Sequence, residues 1–276
     1  VTHSSAPQAT PMLARQRQEF ILERVAATGG IRVAEVVEAL GISEMTVRRD
    51  ITELVSQGLV ERVHGGAVAA GSTTNEPRFT SKTTLHPQAK ARIGAAAAAL
   101  VRPGDSLALS AGTTTLAVAN AITKLEHLAT LTIITNSLPA AQLLFDAADA
   151  ARAESREAPS VLLIGGERTR SNAMVGLIAN DALARLRVEW VFLGAHGFEP
   201  SDGMMAPSLR EAATNQALVT AGRTTVACLD ASKWGVLGLR TFCPTEQIGV
   251  LVTDAQPDEA TVTALDEAGT TLIVAP

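Results

Sequence analysis

The sequence predicts an α/β protein in two parts, a small helical N-terminal unit closed by a hairpin and a larger unit built on a mainly parallel sheet. Three observations point there. Over about residues 13–68 the apolar residues recur at helical spacing, with glycine interruptions. A Gly/Ser/Thr/Pro-rich stretch follows, "AAGSTTNEPRFTSKTTLHPQAKAR", of the kind that connects domains. From about Ala91, short apolar runs alternate with helical stretches, the pattern of a sheet covered on both faces. At 276 residues the chain suits a small domain plus a larger one. The expected divisions are a disordered tail at 1–12, the helical unit at 13–70, a linker at 71–90 and the α/β domain at 91–276.

In the first unit, "LARQRQEFILERVAATGG" places Leu13, Phe20, Ile21 and Val25 on one side of a helix that ends at Gly29-Gly30. "IRVAEVVEALGIS" reads as a second helix, with Val33, Val36, Val37 and Leu40 on one face. Gly41 supplies the backbone freedom for a tight turn. Ser43 is a good N-cap for a third helix whose buried stripe is Ile42, Val47, Ile51 and Leu54, and Gly58 ends it. Two short helices joined through a glycine turn make a helix-turn-helix. "LVERVHGGAVA" alternates around Gly65-Gly66 as a two-residue hairpin would. Together these elements form a winged helix-turn-helix.

That reading gives the exposed residues a role. Ser43, Met45, Thr46, Arg48 and Arg49 stand near the start of the second helix of the motif, the end that enters a major groove. Arginine reads guanine by a bidentate contact or pins a phosphate. Ser43 and the helix N-terminus also suit a phosphate. Arg62, His64 and Gly65 belong to the wing. Residues 13–68 hold seven arginines against eight acids, so positive charge is local. In isolation, Arg48 and Arg49 would pair with Glu44, Asp50 or Glu53 on a solvated face. The flanking turn, cap and wing favour DNA.

In the second unit the expected strands are "SLALSA", "LTIIT", "SVLLIG", "WVFLG", "TVACLD", "GVLVT" and "TLIVA". Ligands bind beyond the carboxyl ends of strands in such sheets. After "SLALSA" comes Gly112-Thr113-Thr114-Thr115 and a helix. Close backbone approach, three hydroxyls and a helix N-terminus suit a phosphate, although a lone Gly-Thr-Thr is as often only a cap. Asn136 follows "LTIIT", His196 follows "WVFLG", and Lys233 follows "TVACLD". Glu211 and Asn215 are four apart on one helix face.

Composition sets limits. The chain is 46% hydrophobic, 18% charged and 3% aromatic, with no tyrosine, so its core is aliphatic. No run of about 18 apolar residues occurs, so no membrane segment is expected. "VTHSSAPQATPM" lacks the apolar run of a secretory signal, and a cytoplasmic location is expected. Cys228 and Cys243 lie in different segments and suggest neither zinc nor a disulfide. No metal, cofactor or catalytic residue is assigned. The net charge of −5 argues against a broadly basic nucleic-acid binder, leaving room for a small DNA-binding module that works as an oligomer.

The run "GISEMTVRRDITELVSQGLVERVHGGA" resembles the DNA-binding domain of the DeoR family of bacterial transcriptional regulators. The Ser-x-x-Thr-x-Arg-Arg-Asp segment and the His-Gly-Gly-Ala end carry the likeness. Val37 departs from it, because a small residue usually faces that turn. The second unit is similar to the family's effector domain, whose fold resembles ribose-5-phosphate isomerase and glucosamine-phosphate deaminase. The resemblance implies a phosphate site at Gly112, Thr113, Thr114, Thr115 and Lys233, with Asn136, His196, Glu211 and Asn215 around the rest of the ligand. His196 stands where the family usually has Asp or Asn.

The expected function is a regulator, in this family most often a repressor, of sugar or carbohydrate metabolism genes. It would bind double-stranded operator DNA as a dimer or tetramer and leave it when a phosphorylated sugar or related metabolite binds, by linkage. The alternatives are a sugar-phosphate isomerase-like enzyme fused to a DNA-binding module, and an α/β scaffold with an empty pocket. The enzyme needs a positioned base, and the loop of His196 lacks the acid that the isomerases keep there.

Overall fold

The computed structural model describes residues 12–28, 30–63, 65–69 and 79–276. Most of the expected tail, His64 and much of the expected linker lie outside the described residues. The chain divides into two compact units, 1–72 and 73–276.

In the first unit, helix α1 (Ala14–Thr28) leads to strand β1 (Gly30–Arg32), α2 (Val33–Leu40), α3 (Glu44–Ser56), β2 (Val60–Val63) and β3 (Gly66–Ala69). Ile21, Val25, Val36, Val47, Ile51 and Leu54 are buried together, so the three helices close one core on the stripe their spacing set out. Gly41 adopts the left-handed conformation (φ 62°), and its N–H donates to the Val37 carbonyl at 2.9 Å. Val37 is half-buried against this core, and the turn closes around it. Ser43 caps α3 by accepting from the Thr46 N–H at 3.2 Å.

Two details correct the sequence reading. Gly30–Arg32 is a strand, not the start of a helix, and completes an antiparallel sheet in the order β1-β3-β2. Val63 pairs with Gly66, so Gly65 lies in the hairpin connection while Gly66 already belongs to β3. Gly66 serves close approach: a Cβ there would stand 2.2 Å from the Ile31 carbonyl oxygen.

The second unit opens with α4 (Phe79–Thr83) and α5 (Pro87–Ala98), so helix begins inside the stretch expected as linker. Then come β4 (Ser106–Leu109), α6 (Thr113–Ile122), β5 (Thr132–Thr135), α7 (Leu138–Ala153) and β6 (Ser160–Leu163). A short hairpin, β7 (Glu167–Arg168) and β8 (Met174–Val175), precedes α8 (Leu177–Ala184) and β9 (Val188–Leu193). Next are β10 (Gly197–Glu199), β11 (Gly203–Ala206), α9 (Leu209–Ala221), β12 (Gly222–Cys228) and β13 (Arg240–Cys243). The unit finishes with β14 (Val250–Thr253), α10 (Glu259–Glu267) and β15 (Thr271–Val274).

All seven expected strands form one parallel sheet, in the order β15-β14-β12-β9-β4-β5-β6. Each face carries its own core. Ile93, Val118, Ile122 and Leu144 pack on one side, and Leu183, Phe198, Leu218 and Leu265 on the other. The chain runs outward from β4 through β5 to β6, then returns to β4's other side with β9. The strand order therefore reverses between β4 and β9, the place where such sheets open a crevice. The sequence reading did not include the antiparallel sheet β10-β11-β13 or the β7-β8 hairpin. Their strands are two to four residues long, too short for a period-2 pattern to show.

Candidate functional sites

The first site is the exposed start of α3. Met45 is 81% exposed, and Arg48 and Arg49 are exposed beside it. Arg48 Nε donates to Glu44 Oε1 at 2.9 Å, so this arginine makes the pair expected on a solvated face. No ion pair engages Arg49 among the described residues. Arg62 reaches from β2 to the Arg48 carbonyl at 3.2 Å and Thr52 Oγ1 at 2.6 Å. Its guanidinium thus fixes the wing strand against the helix.

The sequence reading missed the pair that orients α3. Asp50 is 4% exposed, and Arg17 from α1 donates to both its oxygens, at 2.7 and 3.0 Å. That hydrogen bond raises the Arg17 pKa further. The signal was present, because Asp50 sits between Val47, Ile51 and Leu54 on the buried stripe, where an acid requires a partner.

The second site lies along the carboxyl ends of neighbouring strands in the order β12, β9, β4 and β5. Lys233, His196, Gly112 and Asn136 follow those four strands, respectively. With strands about 4.8 Å apart, they span roughly 14 Å, the scale of a small metabolite with its phosphate. Gly112 caps α6. Thr113 is half-buried, Thr114 is buried, and Thr115 is wholly buried with Oγ1 donating to the Gly112 carbonyl at 3.2 Å. The hydroxyl of Thr115 is therefore engaged with its own turn.

Asn136 is also occupied by the protein. Its Oδ1 accepts from the Ala111 N–H and its Nδ2 donates to the Met174 carbonyl, each at 3.0 Å. It ties the β4–α6 loop to the β7-β8 hairpin and shapes the crevice. The hairpin loop brings Ser171, 3% exposed, to donate a short hydrogen bond to Glu211 Oε1 in the first turn of α9. Asn215, half-buried, lies one turn further on. His196 is half-buried, and its backbone N–H donates to the Met205 carbonyl at 3.0 Å.

Lys233 ends a 3-10 turn capped by Asp230, whose Oδ1 accepts from the Ser232 N–H at 3.1 Å. Burial opposes ionisation of Asp230, but Lys233, the Ser232 hydroxyl, Lys90 and His86 outweigh it and hold the carboxyl below its usual range. Ser171 and Asp230 were missed by sequence reasoning. A serine in a loop carries no signal, whereas an acid closing the apolar run "TVACLD" does. No group of three or more His, Cys, Asp or Glu suited to a metal occurs among the described residues. No helix among them is long and apolar enough to cross a membrane.

Both units match known family models. Residues 17–73 match the DeoR-like helix-turn-helix domain and residues 85–255 the DeoR C terminal sensor domain. The chain belongs to the DeoR family of transcriptional regulators. The HTH-type transcriptional regulator YgbI of Escherichia coli K12 is 33% identical over 96% of this chain and 99% of that protein. The lactose phosphotransferase system repressor of Streptococcus mutans is 34% identical over 90% of this chain and 95% of its own. The glycerol-3-phosphate regulon repressor of E. coli is 30% identical over 91% and 95%. Among solved structures, ribose 5 phosphate isomerase A from Neisseria gonorrhoeae covers 58% of this chain and 57% of its own, at 16% identity and TM-score 0.38, too distant to carry weight. In this DeoR-family chain the helix-turn-helix is the DNA-binding part and the α/β unit is the sensor.

Proposed function

We propose that this chain is a repressor of sugar or carbohydrate metabolism genes, released from double-stranded operator DNA by a phosphorylated sugar or related metabolite. The observation that carries the reading is the Gly112 cap of α6, at the reversal between β4 and β9, with Lys233 arriving from β12. A helix N-terminus offers unpaired N–H groups and partial positive charge. Thr113 and Thr114 add donors, and Lys233 adds a cation. Thr115 and Asn136 support the loop, while His196, Glu211 and Asn215 face the remainder of the ligand. The names of the two repressors similar to it, concerned with lactose and glycerol-3-phosphate, agree with this class of effector.

At the DNA, Arg49 and Met45 contact base edges, Ser43 and Thr46 hold a phosphate, and the wing around Arg62, His64 and Gly65 lies on the backbone. The sensor acts by binding, without catalysis, in keeping with a family of regulators. The working form is a dimer or tetramer held mainly by the sensor. The side chains of Leu177 and Ile178, 86% and 71% exposed at the start of α8, support that view.

Calorimetry tests the effector site, using ligands found by a thermal-shift screen of phosphorylated metabolites. Thr114→Val and Lys233→Ala are expected to lose at least tenfold in affinity, since charge-assisted bonds dominate phosphate recognition. Dephosphorylated sugars are expected to fail with the parent. If both variants bind as tightly as the parent, the phosphate assignment is wrong.

A further inference from the structure

Buried charge at the entrance of the sensor lies outside the effector residues assigned above. Lys90, early in α5, is 6% exposed, and its Nζ donates to the Lys82 and Leu85 carbonyls at 2.6 Å each. Those carbonyls end α4 and the turn after it, by which the chain enters the sensor from the DNA-binding side. The same helix is anchored at the strand ends. Arg92 donates to the Asp254 carbonyl at 3.4 Å and stands 3.8 Å from its carboxylate, while Asp254 Oδ1 accepts from the Ala231 N–H at 2.8 Å. The start of α5 therefore lies against the turn that carries Asp230 and Lys233.

In that turn Asp230 is 2% exposed, and its Oδ2 is buried with no hydrogen-bond partner. Such an oxygen is costly unless nearby charge compensates it. Lys233, Lys90 and His86 supply that charge. Lys82 and Lys233 in turn repel the Lys90 ammonium, and Asp230 attracts it. One buried acid is shared among cations from the effector site and from the sensor entrance.

We propose that Lys90, Asp230 and Lys233 couple an anion in the effector site to the segment Lys82–Leu85, through which the DNA-binding unit is attached. The coupling rests on the reading that Lys233 meets the ligand phosphate. An anion there neutralises Lys233, which removes its repulsion of Lys90 and leaves Asp230 acting chiefly on Lys90. Lys90 then holds its proton more firmly, and its two bonds to the carbonyls of Lys82 and Leu85 gain charge assistance. The entrance segment is held more tightly when the site is occupied, a differential contact of the kind that linkage between sites requires.

The test uses the full chain and inorganic phosphate at pH 8. Calorimetry in buffers of different ionisation enthalpy is expected to show net proton uptake on binding. Hydrogen exchange over residues 79–90 is expected to slow severalfold. Lys90→Met should still bind phosphate, severalfold more weakly because the coupling is reciprocal, yet show neither the added uptake nor the slowing. Asp230→Asn, which keeps the cap acceptor, is the second variant. Its phosphate affinity is expected to change, because the acid sits beside Lys233, and its uptake and slowing should fall well below the parent's. Variants that bind phosphate and still show the parent's slowing and uptake would overturn the coupling. If the parent does not bind phosphate at millimolar concentration, the effector site itself is wrong, and the coupling falls with it.

Discussion

Arg48 and Arg49 are adjacent in sequence and differ in what holds them. Arg48 is paired with Glu44 one turn earlier, so on the proposed reading a DNA phosphate has to compete with that carboxylate. Arg49 is expected to contribute more to binding. Arg49→Ala should cost about 1–3 kcal/mol if it reads a base, and Arg48→Ala less. Glu44→Gln should strengthen binding and steepen its salt dependence by up to about one unit, because Arg48 is then available to a phosphate. Fluorescence anisotropy across a salt series separates these outcomes, and equal losses for the two arginines would contradict the assignment. Lys90 gives a pH signature at the same scale. Burial pushes its ammonium down to about 8 from 10.5, with Asp230 opposing and Lys233 and Lys82 reinforcing the shift. Between those values the unfolded chain keeps a proton that the folded chain has released, so this group makes stability rise with pH across that window and adds no slope below it. The rise is up to about 3 kcal/mol at 1.4 per unit. Denaturation of the parent minus Lys90→Met, followed from pH 7 to about 10, reads it directly.

Among the elements, the wing depends on a contact that spans the first unit. Gly66 lets β3 approach β1 between residues far apart in the chain, with Ile31 pairing to Ala67 and Arg32 to Gly66. A methyl group at Gly66 has backbone on its near side, so the sheet must separate to admit it. Gly66→Ala should destabilise the DNA-binding unit by about 1–3 kcal/mol, as overpacking does. It should also weaken operator binding although it removes no contact to DNA. Retention of parent-like stability in a chemical melt of that unit would show that β1 and β3 are not held as described. On the sensor side, the β7-β8 hairpin has the same standing. It is short, yet Asn136 and the Ser171–Glu211 bond make it a wall of the crevice.

At the scale of the whole molecule, a winged helix reads few bases alone, and two copies are the usual route to a specific site. Assembly through the sensor predicts that the isolated α/β unit keeps the oligomeric state of the full chain. Leu177→Ser with Ile178→Ser should lower that state by light scattering while the sensor still binds its ligand. Operator affinity should then fall by at least tenfold, since paired half-sites no longer bind together. A full chain that remains monomeric on saturated operator would remove this part of the proposal.

The sequence by itself determined the two units, the helix-turn-helix and every strand of the parallel sheet. Those features repeat locally: the 3.6-residue stripe through Val47, Ile51 and Leu54, the cap at Ser43, the left-handed turn at Gly41, and seven apolar runs long enough to stand out. It also placed Gly112, Asn136, His196 and Lys233 at strand ends, because the end of an apolar run is visible in one dimension. Only the tertiary structure decided which strand ends are neighbours, since the order β12-β9-β4-β5 depends on crossovers. The Arg17–Asp50 bond crosses 33 positions, the Ser171–Glu211 bond 40, and the Lys90 region meets Asp230 across most of the sensor. Pairings over such distances leave no periodic trace, because any acid on a buried face needs a partner and the sequence does not say which.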